Sequence, residues 1–369
     1  MSPAAVVLVV GSLGRGGTER QISQFVRASH PGLASCLVVC LSADEGDLAP
    51  EVQATGAAVR TMGFVGLSWK RPVQTLRSAR AVVRLFRLLR RTEPDVVYGF
   101  MFWGYVLGLL VARFAAPHAL RVAGLRSAPN LDKPSKALEP LRRLALRTAH
   151  GAITNANPTA WVERYPWLAP KLVRIPNGVE APKLVGRRAE NGRIVCIANL
   201  KPIKGHTTLF EAVALFPHDL VWTLVLCGDG PHRRSLEHRA NELGLSGKVE
   251  FLGTVRDVAR VLDGATLAVL ASYSENLPNA VMEAMAHGVP VVATSVGDVP
   301  NLLSAGAGTL VPPGDAQALG VAIRRFLEDS ELRERAGAAG RREIQSNYSI
   351  TAMRDLTLAA FSSFGRRHS

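Results

Sequence analysis

Short apolar runs alternate along this chain with longer segments in which apolar residues recur every three or four positions. Short buried runs of this kind predict β-strands, and the longer periodic segments predict α-helices. Strands that alternate with helices predict parallel sheets covered by helices on both faces. The strand-like runs form two series, which begin near residues 6, 36, 96, 119 and 151 and then near residues 193, 222, 249, 265 and 289.

The two series predict two domains. A chain of 369 residues exceeds the usual size of a single core. The segment APKLVGRRAENG, residues 181–192, breaks the alternation and is typical of an inter-domain linker. We therefore expect one Rossmann-like domain over residues 1–178 and a second over residues 179–345. A final helix within residues 346–369 is expected to pack back toward the N-terminal domain.

The most apolar segment, residues 93–117, approaches the length of a membrane span. It holds 17 uncharged residues from Val96 to Ala112, but three glycines interrupt it and it opens with the strand-like sequence DVVY. This pattern favours a buried strand followed by a helix. The apolar run from Ala4 to Val10 has no basic segment before it and is too short for a signal peptide, so it predicts a first buried strand.

Basic residues concentrate in one predicted helix, Lys70 to Arg91, which has eight of them and no acid. An ordinary surface helix is one interpretation, with Val83, Phe86 and Leu89 on the face toward a sheet. The unbroken positive sign instead favours contact with an anionic surface, and a membrane more than nucleic acid because no stacking module is present. Steps of three and four residues place five arginines on one helical face: Arg77, Arg80, Arg84, Arg87 and Arg91.

The charge of the chain agrees with this interpretation, and the cysteines indicate the redox compartment. The formal net charge is +14, and residues 1–178 hold 23 basic against 10 acidic residues. The N-terminal half should therefore face an anionic partner, either phospholipid or nucleic acid. The four cysteines lie mostly in apolar runs without a C-x-x-C pair, which is typical of buried free thiols in a reducing cytosol.

The strongest candidate site is the stretch SYSENLPNAVMEAMAHGVPVVATSVGDVPN, residues 272–301. Glu275 and Glu283 stand eight positions apart across a turn-to-helix junction. A helix is expected to begin near Pro278, with Asn276 or Asn279 as its cap. Because a helix N-terminus presents backbone N–H groups and a positive dipole end, it suits a phosphate. Two carboxylates beside it suggest binding of sugar hydroxyls.

Three other positions are candidates for phosphate binding. The strand, glycine loop and helix around Gly11 to Gln21 could admit phosphates, although the third glycine of G-x-G-x-x-G is missing and a plain tight turn remains an alternative. Lys204 precedes a predicted helix, where lysines commonly neutralise phosphate, and an ordinary surface lysine is the other interpretation. Arg126 follows a predicted strand and could reach a phosphate or an acceptor.

Together these motifs resemble glycosyltransferase family 4, a family of retaining nucleotide-sugar transferases. The similarity covers nearly the whole chain and implies the GT-B fold, in which two Rossmann-like, doubly wound α/β domains face a cleft. Its carriers are the E-x7-E pair of Glu275 and Glu283 in SENLPNAVMEAMAHGVPVVAT, GRGGTERQ at Gly14 to Gln21, IPNGV at Ile175 to Val179, LKPIKG at Leu200 to Gly205, CGDGP at Cys227 to Pro231 and FLGTVRD at Phe251 to Asp257.

The resemblance implies a role for each matching position. Glu283 would bind the ribose hydroxyls, and Glu275 would bind hydroxyls of the donor sugar. Glu275 and Lys204 are the candidate catalytic residues, because a positively polarised pocket stabilises the departing nucleoside diphosphate. The chain has no D-x-D pair, so we expect neither a metal nor a cofactor. The diphosphate would contact Lys204 and a set of donor-binding residues, namely Gly16, Gly17, Gly228, Asn276, Leu277, Pro278 and Asn279.

The chain departs from the family pattern at three places. Asn199 stands where many members have an arginine five residues before the lysine, so Lys201 or Arg126 is expected to supply the second cation. The family's frequent histidine after the fourth strand is replaced by Tyr98 or Phe100, so no base is assigned. Asn276 replaces a commoner glycine and is expected to tune the sugar pocket.

We therefore expect a retaining glycosyltransferase that moves a hexose or N-acetylhexosamine from a nucleotide sugar, most simply a UDP-sugar. The acceptor is expected to be a lipid-linked or cell-envelope glycan, and the protein is expected to be cytoplasmic and peripherally bound to the inner face of the membrane. A nucleotide-sugar epimerase or hydrolase of the same fold is the alternative. A nicotinamide-dependent oxidoreductase is disfavoured by the glycine spacing, and a non-catalytic membrane adaptor has no need of paired acids.

Overall fold

A computed structural model of the chain describes residues 4–14, 16–29, 32–66, 72–127, 129, 135–182, 192–255 and 257–367. Most of the expected linker, residues 183–191, lies outside the described residues, as do Lys70, Arg71 and Arg256. The chain divides into two compact units. Unit 1 comprises Met1–Gly178 and Ile350–Ser369, and unit 2 comprises Val179–Ser349.

Unit 1 is a parallel α/β layer structure, as the alternating pattern predicted. Its sheet has the strand order β3-β2-β1-β4-β5-β6-β7. The strands are β1 (Ala5–Val10), β2 (Ser35–Cys40), β3 (Ala58–Thr61), β4 (Val96–Phe100), β5 (Leu120–Leu125), β6 (Gly151–Thr154) and β7 (Leu172–Arg174). The helices are α1 (Gly17–Ser29), α2 (Ala49–Gln53), α3 (Pro72–Thr92), α4 (Met101–Ala115), α5 (Glu139–Thr148), α6 (Thr159–Arg164) and α14 (Ile350–Arg366).

Strand β1 shows how the sheet of unit 1 is covered on both faces. Its side chains alternate between two cores, because successive residues of a strand point to opposite faces. Val6 and Leu8 join the core that contains residues of α1, α2 and α14. Val7 and Val9 join the core that contains residues of α3 and α4. The sheet is therefore doubly wound, which confirms the predicted fold class.

Helix α4 lies so close to the sheet that its glycines are required. A Cβ atom added to Gly104 would lie 2.5 Å from the carbonyl oxygen of Val9, and one added to Gly108 would lie 3.2 Å from the Val9 side chain. The interrupting glycines therefore let the helix backbone approach β1, as expected for a buried helix. Within the described ranges, no helix has both the length and the apolarity needed to cross a bilayer.

Helix α3 buries the expected face in part: Leu89 is buried and Phe86 packs against the same core, but Val83 does not. Ser78, Ala81, Leu85 and Leu89 are buried, and the three apolar ones pack on the core between α3, α4 and the sheet. Val83 was expected on that face, but it is 47% exposed and lies on the same side as the arginines. The buried stripe of α3 runs instead along Ser78, Ala81, Leu85 and Leu89, which recur every three or four positions.

The C-terminal helix α14 belongs to unit 1, where Phe361 and Phe364 are part of the core beside α1. Its first residue is Ile350, four residues after the expected boundary, because helix α13 continues to Asn347. Residues 58–61 carry one buried apolar side chain, Val59, and the apolar pattern did not predict the edge strand β3 that they form.

Unit 2 repeats the architecture with a six-stranded parallel sheet of order β10-β9-β8-β11-β12-β13. The strands are β8 (Arg193–Ile197), β9 (Thr223–Cys227), β10 (Val249–Gly253), β11 (Leu267–Leu270), β12 (Val291–Thr294) and β13 (Gly308–Val311). The helices are α7 (His206–Ala214), α8 (Arg233–Glu242), α9 (Val258–Asp263), α10 (Asn279–Ala286), α11 (Val299–Leu303), α12 (Ala316–Glu328) and α13 (Ser330–Asn347).

The close approach of α4 to β1 generates a stability prediction. We expect Gly104→Ala to lower the free energy of unfolding by about 1–3 kcal/mol, because the added methyl group meets a backbone carbonyl that cannot move independently. Differential scanning calorimetry should show the loss as a lower melting temperature. Gly32→Ala is the matched control, since a Cβ atom there meets nothing within 4 Å. Equal melting temperatures for the two variants would contradict the packing of α4.

Candidate functional site

The candidate residues of unit 2 gather at the carboxyl end of its sheet. Strands β8 and β11 are neighbours, although the chain passes from β8 to β9 on one side and returns to β11 on the other. Such a reversal of strand order opens a crevice in which α/β proteins bind ligands. The two loops that border the crevice are residues 198–205, after β8, and residues 271–278, after β11.

The first of these loops places Lys204 at the end of a short 3-10 turn, Pro202–Lys204. Gly205 follows in the left-handed region with φ 67°, and a Cβ atom there would overlap the carbonyl oxygen of Ala271. Only glycine fits this contact. The backbone N–H of Tyr273 donates to the carbonyl oxygen of Ile203 at 2.8 Å, so the lysine loop is fixed against the second loop.

Lys204 and Glu275 form the central contact of the site. The Lys204 Nζ atom donates to Oε1 of Glu275 at 2.6 Å, and the two side chains are 24% and 12% exposed. The hydroxyl of Ser272 donates to the same oxygen at 2.7 Å. Among the described residues, no group donates to the second carboxylate oxygen, Oε2. One oxygen of Glu275 is therefore held by the protein and the other is available to a ligand.

Ser272 was not among the predicted functional residues, although it lies only three positions before Glu275. Its carbonyl oxygen accepts a hydrogen bond of 2.6 Å from the buried hydroxyl of Thr294, at the end of β12. The hydroxyl of Tyr273 bonds to that of Thr208 in the first turn of α7 at 2.8 Å. These contacts connect the loop of residues 271–278 with β12 and with α7, so they fix the position of Glu275.

Helix α10 begins at Asn279, next to Pro278, where a helix start was expected. Pro278 is its N-cap residue and provides no side-chain cap, so neither Asn276 nor Asn279 occupies the capping position. The first turn starts at Asn279, and the half-buried Glu283 follows in the second turn. The loop before it is fixed by the N-cap residue of α11, because the N–H of Asp298 donates to the carbonyl oxygen of Asn276 at 2.9 Å.

The remaining candidates of unit 2 lie beside this pair. Gly228, after β9, donates its N–H to the carbonyl oxygen of Gly253, and a Cβ atom on it would overlap the carbonyl oxygen of Ala198. Asn199 and Lys201 are exposed on the loop after β8. The structure thus brings one set of predicted residues to neighbouring strand ends of one sheet: Asn199, Lys201, Lys204, Gly228, Glu275, Asn276, Leu277, Pro278, Asn279 and Glu283.

Three candidates lie in unit 1 instead. Gly16 and Gly17 stand at the start of α1, after β1, and the carboxylate of Glu19 folds back so closely that a Cβ atom on Gly16 would overlap it. Burial raises the pKa of Glu19. An acid of the chain itself therefore lies at the helix start where the glycines were expected to admit a phosphate.

Arg126 is the third candidate in unit 1 and follows β5. It donates to Oδ1 of Asn177 and to the hydroxyl of Tyr98, each at 3.1 Å. Tyr98 and Phe100, the two residues considered as replacements for the histidine of family 4, are both buried, and burial raises the pKa of Tyr98. Neither side chain is suited to act as a base.

His206, the first residue of α7, is a buried titratable group beside the site. It is 3% exposed, and its Nε2 atom has no hydrogen-bond partner among the described residues. Burial, with further contributions from the nearby Lys204 and His232, lowers the pKa of His206 to about 4. The imidazole is therefore neutral at pH 7.

Comparison with known proteins points to one enzyme class. Residues 181–343 match the family model for glycosyl transferases of group 1. The chain is 30% identical over 296 residues to the lipopolysaccharide core biosynthesis glycosyltransferase LpsD of Rhizobium meliloti, covering 75% of this chain and 78% of that protein. It is 35% identical over 161 residues to LpsE of the same organism, covering 43% of this chain and slightly less than half, 46%, of that protein.

Solved structures resemble the whole chain. The crystal structure of Anabaena Alr3699/HepE in complex with UDP superposes with a TM-score of 0.83 at 20% identity, covering 97% of this chain and all of that one. The lipopolysaccharide outer core galactosyltransferase WaaB in its apo form gives a TM-score of 0.70, also at 20% identity, over 97% of this chain and 99% of that one. At these identities the likeness establishes the fold.

The buried His206 generates a pH prediction. Its pKa is lowered from 6.5 to about 4, so the unfolded chain binds a proton between these values that the folded chain does not. The free energy of unfolding should therefore fall as pH decreases through this window, by a total on the order of 3 kcal/mol from this group. Urea unfolding of wild type and His206→Leu at pH 7 and pH 5 measures the effect.

The variant should lose less stability than wild type on acidification. His238→Leu is the matched control, because this histidine is 77% exposed. Parallel losses in wild type and His206→Leu would show that His206 takes up its proton in the folded state.

Proposed function

The chain belongs to the glycosyl transferases of group 1, and we propose that it moves a hexose or N-acetylhexosamine from a UDP-sugar, with retention, to a lipid-linked or cell-envelope glycan. The observation that carries the proposal is the pair of Lys204 and Glu275 at the point where strand order reverses. It sets a cation beside a carboxylate that presents one oxygen for hydroxyl groups. A nucleotide sugar has both matching parts, a diphosphate and a sugar.

The ligands and the names of similar proteins support the proposed donor and the proposed acceptor. HepE was crystallised with UDP and also with UDP-glucose. LpsD and LpsE are named as enzymes of lipopolysaccharide core biosynthesis. We therefore favour UDP-glucose as the first donor to try and an envelope glycolipid as the acceptor.

In the proposed reaction Lys204 and α10 stabilise the leaving group. An ammonium group carries three N–H donors, of which one is used on Glu275, so the others can bind the diphosphate. The first turn of α10, which Pro278 does not cap with a side chain, directs the positive end of its dipole to the same phosphates. Negative charge develops on the diphosphate as its bond to the sugar breaks, and these groups lower the energy of that state.

The two glutamates orient the donor and do not exchange protons. Glu275 accepts hydrogen bonds from hydroxyl groups of the sugar through Oε2, and Glu283 accepts hydrogen bonds from the ribose hydroxyls. The acceptor hydroxyl attacks the anomeric carbon on the face that the diphosphate leaves, so configuration is retained. The departing phosphate takes the hydroxyl proton, so the proposed reaction needs no side chain to act as a base.

We further propose that α3 binds an anionic membrane surface. Its exposed side combines basic and apolar groups, since Val73, Leu76 and Val83 are 65%, 55% and 47% exposed among the arginines. Apolar side chains can enter the headgroup region while arginines pair with lipid phosphates. Such contact would hold the enzyme next to a lipid-linked acceptor.

Substitution of the two glutamates tests the proposed site. Glu275→Ala should lower sugar transfer about 100-fold or more, the usual effect of losing one polar group aimed at the reacting centre. Glu283→Ala should weaken UDP binding by about 1.5–3 kcal/mol, because it removes charge-assisted hydrogen bonds to the ribose. The measurements are transfer of labelled sugar from UDP-glucose to an envelope lipid extract and calorimetric titration with UDP.

The matched control is Glu334→Ala, which removes an exposed acid from α13. Ser272→Ala should reduce transfer only several-fold, since Lys204 still holds Glu275. Unchanged transfer in both glutamate variants would contradict the site. Turnover of UDP-glucose at full rate without any acceptor would instead indicate a hydrolase or an epimerase.

Loss of charge on α3 tests the membrane proposal. We expect the combined substitution of Arg77, Arg80, Arg84 and Arg87 by Gln to weaken binding to phosphatidylglycerol vesicles at least tenfold, because each basic residue near such a surface contributes about 1 kcal/mol. Vesicle sedimentation measures it. The charge-matched control replaces four exposed arginines of unit 2, Arg234, Arg325, Arg335 and Arg342, by Gln. Equal binding by the two quadruple variants would contradict a specific role for α3.

A further inference from the structure

Helix α4 carries an apolar stripe that is only partly buried. The stripe consists of four residues at steps of four, three and four, which lie along one side of the helix: Trp103, Leu107, Leu110 and Phe114. The first three are half-buried, and Phe114 is 73% exposed. The core of unit 1 therefore accounts for only part of the apolar surface of α4. A contiguous apolar surface that reaches solvent is typical of an interaction site.

Two neighbouring helices flank this stripe. Helix α3 shares one core with α4, which includes Leu85 and Ala112. Helix α5 shares another core with α4, which includes Leu109 and Leu146. Since α4 belongs to both cores, it lies between α3 and α5 against the sheet. Leu144 adds an exposed apolar residue on α5. We refer to the solvent-facing sides of α3, α4 and α5 as the three-helix face.

The three-helix face carries one sign of charge. Helices α3 and α4 contain no acidic residue. The one acid of α5, Glu139, accepts a hydrogen bond from the hydroxyl of Tyr165 and lies 3.3 Å from Nη2 of Arg164. Exposed arginines stand on both flanks, such as Arg87 on α3 and Arg147 on α5. Because soluble surfaces normally intersperse both signs, the face favours an anionic partner.

The combination of apolar and basic groups matches a lipid bilayer better than it matches other anionic partners. A nucleic acid backbone offers phosphates to the arginines but no counterpart to Leu110 and Leu144. A second copy of the chain would bring the same positive charge against the face, and like charges repel. A bilayer of anionic lipids supplies both parts, with acyl chains for the stripe and phosphates for the arginines.

We propose that the three-helix face docks on an anionic bilayer, with Leu110, Phe114 and Leu144 at the boundary between headgroups and acyl chains. Arginines of α3 and α5 pair with lipid phosphates on either side of them. The inference rests on the proposed function, in which α3 binds a membrane, and adds an apolar contact by α4 and α5. Salt screens the charge pairs but not the burial of apolar surface, so ionic strength separates the two contributions.

A fluorescent label on the full-length protein tests whether the ring position of Phe114 meets lipid. The four native cysteines are buried, so Phe114→Cys can be labelled selectively with a thiol-reactive fluorophore whose emission rises in apolar surroundings. Phosphatidylglycerol vesicles should raise that emission at least twofold. The matched control is the same label on Leu215→Cys, an exposed apolar position of unit 2, which should not respond.

Removal of the apolar groups separates insertion from charge. In about 1 M salt, where the screening length is about 3 Å, the wild type should still sediment with phosphatidylglycerol vesicles. The double variant Phe114→Ser and Leu144→Ser should bind at least tenfold more weakly under that condition, because it lacks two apolar side chains that the bilayer would cover. The control double variant, Leu215→Ser and Val221→Ser, removes two exposed apolar residues of unit 2 and should bind like the wild type.

Three results would overturn the proposal. The first is vesicle binding without a change in emission from the label on Phe114→Cys. The second is equal binding by the two double variants in high salt. The third is emission that rises with protein concentration in the absence of vesicles, which would show that a second copy covers the face. A wild-type protein that binds no anionic vesicle would instead refute the membrane contact of α3, and sugar transfer from UDP-glucose reports separately on the enzyme.

Discussion

The ion pair between Lys204 and Glu275 is the contact on which the rest of the site depends. Neither charge is free in water, since the side chains are 24% and 12% exposed, and partly desolvated charges are stable only when they are paired or hydrogen-bonded. The fold supplies that pairing because the loops that follow β8 and β11 lie against each other. Gly205 permits the approach, and Ser272 adds a second hydrogen bond to the carboxylate oxygen that the lysine already binds. The consequence is a carboxylate with one oxygen fixed and one presented.

Arg126 of unit 1 is fixed by contacts with three side chains. It donates to the amide oxygen of Asn177 and to the hydroxyl of Tyr98, and its guanidinium lies beside the ring of Phe100. In this account unit 2 binds a donor whose charge it shares among several groups. The basic side of α3 would bring a lipid-linked acceptor close through the lipid that carries it.

Sequence reasoning succeeded where local pattern determines structure. Alternating apolar runs predicted both sheets, and the spacing of Glu275 and Glu283 across a turn-to-helix junction predicted a site that stays a proposal. It failed where the deciding contact joins distant residues. Nothing local to Arg126 indicates partners 28 and 51 positions away, and the apolar pattern of α3 does not reveal that Val83 is exposed. The sequence motifs resemble glycosyltransferase family 4. The comparisons establish the broader group 1 glycosyl transferases, so membership of family 4 stays a proposal.

The central claim is that Lys204 binds the diphosphate of a nucleotide sugar while Glu275 binds the sugar of the same molecule. The most direct measurement is a crystal structure of the protein soaked with UDP-glucose. Our account predicts a diphosphate oxygen within hydrogen-bond distance of Lys204 Nζ, a glucose hydroxyl on Oε2 of Glu275, and the Ser272 bond to Oε1 still in place. A diphosphate bound away from Lys204, or a sugar with no contact to Glu275, would contradict it.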